Sequence, residues 1–138
     1  MRQLAPLFLS ALGLAACSDG PPVKTASGER IQKLTIEERF TLSDEVKETT
    51  LRSERLRSAV ELMEKHGVMR LSGTFESKAV VQTGTVTLIV APASGPERRI
   101  VVNSCAHENV CPFLDAALEK GLIERRPMAC RSQAPCGK

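Results

Sequence analysis

Between residues 32 and 42 apolar and polar side chains alternate. Leu34, Ile36, Phe40 and Leu42 share one face, broken only by Glu38, while Thr35, Glu37, Arg39 and Thr41 share the other. A period of two predicts a strand with one buried face and one wet face. A helix through Ile-Glu-Glu-Arg-Phe is the competing reading. From about Thr49 to His66 the period changes. Leu56, Val60 and Met63 form a stripe with Ala59 and Leu62 beside it, which predicts one long amphipathic helix. Glu61 and Lys65 pair at i,i+4. His66 suits the last turn and Gly67 supplies the stop. Residues 43–48 stay open between a loop and a backward extension of this helix.

Alternation returns over residues 71–81, where Leu71, Phe75, Ala79 and Val81 share a face. It continues over 85–90, where Val86, Leu88 and Val90 alternate with Thr85, Thr87 and Ile89. Gln82-Thr83-Gly84 between them reads as a hairpin loop. Ala91 to Glu97 holds Pro92, Gly95 and Pro96 and reads as a loop. Arg99 to Asn103 is a third strand. Strands in series with short links predict an antiparallel meander. Pro112, Phe113, Leu114, Ala117 and Leu118 then suggest a short helix ending at Gly121. Leu122-Ile123 reads as a brief strand. No period follows Arg126. The fold class expected is α+β: a small antiparallel sheet of about four strands, one long helix, and a disulfide-tied C-terminal segment. Residues 31–138 make a single domain.

The N-terminus has its own pattern. Arg2, an apolar run from Leu4 to Leu14, and Ala15-Ala16 are the three parts of an export signal. The run is too short to span a bilayer, which takes roughly 20 apolar residues. Leu14-Ala15-Ala16-Cys17 resembles the lipobox of bacterial lipoproteins. The resemblance implies cleavage after Ala16, a diacylglyceryl thioether on Cys17 and an acylated new N-terminus. Two or more acyl chains give stable anchoring. Residues 1–16 are then the signal peptide, and residues 17–30, rich in Gly, Pro and Ser, are the lipid anchor and a flexible tether. The expected location is a bacterial cell membrane, lipid-anchored and facing the periplasm. Ser18 after the anchor implies the outer membrane, while Asp19 keeps the inner membrane open.

Composition narrows the partners. The formal net charge is +3, from 19 Lys+Arg and 16 Asp+Glu. These charges are interleaved, which leaves no nucleic-acid footprint. There is no Trp and no Tyr. That argues against a glycan-binding surface, which needs exposed aromatic faces. Apart from Cys17 the cysteines are Cys105, Cys111, Cys130 and Cys136. In an oxidising envelope four cysteines read as two disulfides. Two local loops, 105–111 and 130–136, are sterically easy. The nested pattern, 105–136 and 111–130, is favoured. A loop of about 26 residues stabilises by about 1 kcal/mol more than one of about 7, and nesting also ties down the Pro-rich tail.

The stretch from Cys105 to Cys111 concentrates the reactive side chains. With Cys130 or Cys136 it suggests a zinc site of thiolates and His107, although the spacing is wide and exported thiols oxidise first. A cysteine nucleophile with His107 as base needs a special loop geometry. The redox motif C-x-x-C is missing. A disulfide-constrained loop with a surface histidine is the favoured reading. Adjacent carboxylates, Glu37-Glu38 and Asp44-Glu45, point apart on regular structure. Arg52, Arg55 and Arg57 could meet anionic lipid heads, but Glu48, Glu54 and Glu61 balance them as on a solvated helix face.

The expected function is a non-catalytic envelope lipoprotein that binds another protein. Small lipoproteins acting as inhibitors, immunity proteins or secretion and conjugation components supply an analogy only. The expected contact is the constrained loop with His107, Glu108 and Asn109. No cofactor is expected. The alternative is a metal-binding or thiol-dependent enzyme using the same loop.

Overall fold

The computed structural model describes residues 20–78 and 82–137. Cys17, the whole signal segment, Ala79 and Val81 lie outside the described residues. The strands are β1 (Val23–Lys24), β2 (Arg30–Phe40), β3 (Val46–Leu51), β4 (Gly73–Glu76), β5 (Gly84–Pro92) and β6 (Arg98–Asn103). Helix α1 (Ser53–Lys65) follows β3, and helix α2 (Val110–Glu119) follows β6. Short 3-10 turns occupy Val68–Arg70 and Met128–Arg131. The fold is mixed α+β, as expected. Its sheet has six strands rather than about four, and a second helix joins the long one.

The strands lie in the order β1-β2-β5-β6-β4, with β3 also on β2. β2 and β5 form the spine, antiparallel from Phe40↔Gly84 to Ile31↔Pro92. β1 and β3 share the outer edge of β2, β1 at Arg30 and Ile31, β3 from Leu34 to Arg39. Alternation on these strands puts Leu34, Ile36, Val86, Leu88, Val90, Ile100 and Val102 on one face. They form a single core with Leu56, Ala59, Val60 and Met63 of α1 and Phe113, Leu114 and Ala117 of α2. Both helices therefore cover that face. Thr35, Thr87 and Ile89 point to the open face. They are still buried, shielded by neighbouring side chains on the pleated surface.

Several expectations are corrected. The helix begins at Ser53, and Val46–Leu51 is strand. Val46, Thr49 and Thr50 are β-branched and pack well on a pleated surface. The first strand ends at Phe40, and Leu42 is 98% exposed in the loop beyond it. No hairpin joins the strands expected over residues 71–81 and 85–90, whereas β5 and β6 do pair antiparallel. β4 pairs in parallel with β6, from Gly73↔Ile100 to Glu76↔Asn103, and β6 separates it from β5. Helix α1 carries the chain across the covered face, so β4 returns at the far edge and the meander is broken. Leu122 and Ile123 are buried but are not strand. Residues 20–30, expected to be tether, include β1, and Val23 is buried against the core. Thr25 organises the turn after it, its Oγ1 accepting from Glu29 N at 3.1 Å.

Helix ends follow local chemistry. Gly121 takes a left-handed φ of +73° just past α2, a conformation that favours glycine. Gly84 is needed for a different reason. A Cβ there would come within 2.9 Å of Arg39 O.

Candidate functional site

The chain leaves the sheet at Ser104. Its Oγ accepts Thr83 N at 2.9 Å and Gly84 N at 3.2 Å. The segment beyond it has little ladder to hold it, and covalent bonds take over. Cys105 is bonded to Cys136, and Cys111 to Cys130. This is the nested arrangement. Cys105, Cys111 and Cys130 are buried, whereas Cys136 is partly exposed. The tail is laid against the start of the loop. Ala106 N donates to Ala134 O at 2.8 Å, and Gly137 N donates to Glu76 O at 3.0 Å.

His107 is not a surface residue. It is 7% exposed. Its Nδ1 accepts Asn109 N at 3.0 Å and Val110 N at 3.2 Å. Two donors facing Nδ1 fix the neutral tautomer, with the proton on Nε2. The ring thus does the work of a helix N-cap for α2, meeting donors that the first turn leaves unpaired. Burial holds the imidazole below its usual pKa, and the Glu108 carboxylate partly offsets this. Asn109 is also structural in part. Its Nδ2 donates to His66 O at 2.9 Å and ties the loop to the end of α1. Of the three expected contact residues, Glu108 alone is fully on the surface.

The loop still borders an opening. Phe75, Ala106, His107, Glu108, Pro135, Cys136 and Gly137 line a cleft of about 480 Å³ at the β4 edge. The Phe75 and His107 rings meet edge to face, 4.5 Å apart at 72°. The walls combine an aromatic ring and a disulfide with a carboxylate.

No family model, curated protein or solved structure matches the chain.

Four cysteines in disulfides offer no thiolate for a nucleophile or a zinc ion. Among the described residues, no group of three or more His, Cys, Asp and Glu side chains is placed to hold a metal. The charged residue that stands out is Glu38, the lone break in the apolar face of β2. Its carboxylate is 8% exposed, with Arg125 Nη2 3.9 Å away. Oε2 accepts Met128 N at 2.7 Å. Arg125 in turn lies over the Phe40 ring, 4.7 Å from its centre. Glu38 fastens the tail to the sheet. The signal for it was present in the alternation, as an acid where an apolar residue belongs. The arginine run has mostly structural partners: Arg55 Nη2 donates to Gly121 O at 3.2 Å and Leu122 O at 3.1 Å, and Arg57 pairs with Glu54 at 3.7 Å.

Proposed function

We propose that this is a lipid-anchored envelope protein that binds another protein without turnover, facing the periplasm from a bacterial membrane. Ser18 favours the outer membrane. The observation that carries the reading is the use made of the reactive stretch. Its cysteines are closed as disulfides, and the His107 nitrogen that would act as a base is occupied by two backbone N–H groups. What remains exposed there is a rigid, cross-linked rim around a cleft, with Glu108 at its lip. Constrained loops on a rigid scaffold commonly carry recognition. The partner is a protein rather than nucleic acid, since the charges are interleaved.

The test is a photo-crosslinking residue placed at Glu108 in the full chain in intact cells. A discrete protein adduct is expected. It should weaken in a Glu108→Arg background probed from Pro135. An adduct pattern identical to that of an unrelated anchored protein would sink the reading. Lipidation is tested separately. Cys17→Ala should lose lipid labelling and move to the soluble fraction.

A further inference from the structure

The chain joins the fold close to its proposed anchor. Gly20 O accepts Gln32 Nε2 at 2.9 Å. Gly20 has φ +70°, and a Cβ there would strike Ser53 Oγ, so its backbone packs directly on the start of α1. Only Ser18 and Asp19 separate Gly20 from Cys17. Three residue steps extend no further than about 11 Å. That distance is too short for a domain swinging freely on a tether.

The place where the chain joins matters as much as the distance. β1 follows Gly20 at once and lies at one edge of the sheet, an edge it shares with β3. The cleft lies at the opposite edge, since Phe75 belongs to β4. Four strand spacings separate the edges, about 19 Å. Among the described residues, the large apolar side chains that stand exposed are Leu42 at 98% and Val46 at 40%. Both belong to the β2–β3 hairpin on the anchored side. Exposed apolar groups of this kind suit the head-group zone of a bilayer.

We propose that the lipidated protein stands edge-on at the membrane, with the β1–β3 edge against lipid and the β4 edge, with its cleft, turned away. The proposal rests on reading Cys17 as lipidated and adds an orientation to it. The contact surface is the lipid head-group zone. Lys24, Lys47 and Arg52 lie on or beside this edge with Asp44, Glu45 and Glu48, so the charges balance and the contact does not require anionic lipid. The stance has a further effect. Among the described residues no strand pairs with the outer side of β3, and lipid beside it keeps other chains from pairing there.

The experiment uses the full chain purified from membranes and reconstituted in phosphatidylethanolamine and phosphatidylglycerol vesicles containing a nickel-chelating lipid. Mass spectrometry first establishes the lipid on Cys17. A nitroxide is then attached through Thr50→Cys on β3 or Thr74→Cys on β4. With the edges about 19 Å apart, relaxation by the nickel lipid is expected to be on the order of tenfold stronger at position 50. A Gly-Ser insert of about a dozen residues between Asp19 and Gly20 should collapse that contrast. Lipid present with equal relaxation at both positions overturns the edge-on stance alone, and a contrast that the insert leaves untouched overturns the short link as its cause. Cys17 without lipid overturns the anchor reading and the stance with it.

Discussion

The sheet with α1 and the C-terminal cap from Ser104 onward are built on different principles. The sheet is held by repetition. β2 and β5 pair continuously over most of their length, and the apolar residues between them and α1 recur at regular spacing. No single bond in it is indispensable. Apart from α2, whose Phe113, Leu114 and Ala117 pack in the core, the cap has no such period. It is held by a few bonds, each in one place: two disulfides, the Glu38 carboxylate on Met128 N, the His107 ring on the first turn of α2, and the Arg126–Asp115 pair at 2.8 Å. A segment held at points loses a large share of its support with each tie removed. A segment held by a ladder does not.

The largest expected effect is at the buried cross-link. Replacing Cys111 and Cys130 together by Ala should cost about 2–4 kcal/mol in urea unfolding. Hydrogen exchange should show the cap amides losing protection while those of β2 and β5 keep theirs. Equal loss in both would abolish the contrast between the two regions. Glu38→Ala comes next, at about 1–2 kcal/mol, because it leaves the part-buried Met128 N–H without its acceptor. Met128 amide exchange reports this directly.

The third effect depends on pH. Burial lowers the His107 pKa from the ordinary 6.5. Between those two values the unfolded chain binds more protons than the folded one, so stability rises with pH there. The contribution of neutral His107 is complete above the unfolded value and is lost as pH falls below it. His107→Asn, whose oxygen still suits a helix N-cap, should flatten this slope and keep most of the stability at pH 8. Urea midpoints measured across pH 5–8 would check it, and a slope unchanged by the substitution would remove His107 as its source. The smallest effect belongs to the open face of the sheet. Arg99→Gln should shift stability by no more than about 0.5 kcal/mol, since Arg99 stands exposed on that face.

The same contrast explains what could be read from the sequence. The alternation in β2, β5 and β6 and the stripe on α1 are local signals, and each element lies close to where its period put it. The stop at Gly121 was legible for the same reason. β3 was not, because Glu48, Arg52 and Glu54 made its neighbourhood look helical, while Thr49 and Thr50 favoured a strand. The parallel pairing of β4 with β6 was hidden, since it depends on how α1 crosses the sheet and not on any residue in β4. In the site, the cysteines and His107 stood out by type. The role of His107 did not, because nothing in its neighbours shows that Nδ1 turns towards Asn109 N and Val110 N. The N-terminal stretch misled for the opposite reason. Glycine and proline masked the one apolar residue, Val23, that pins it to the core.

The pairing of Cys105 with Cys136 also has a consequence for how the protein is made. On the proposal that this chain is exported, it crosses the membrane N-terminus first and presents its cysteines in order, so Cys111 arrives beside Cys105 long before Cys136 does. An oxidase that joins thiols as they emerge would close Cys105 to Cys111, a bond the mature fold does not contain. Undoing it requires thiol–disulfide exchange, which takes seconds to hours depending on oxidant and isomerase. Cells lacking a disulfide isomerase should therefore accumulate the 105–111 form, visible by non-reducing peptide mapping. Maturation of this protein would then be paced by the reshuffling of its bonds and not by the folding of its sheet.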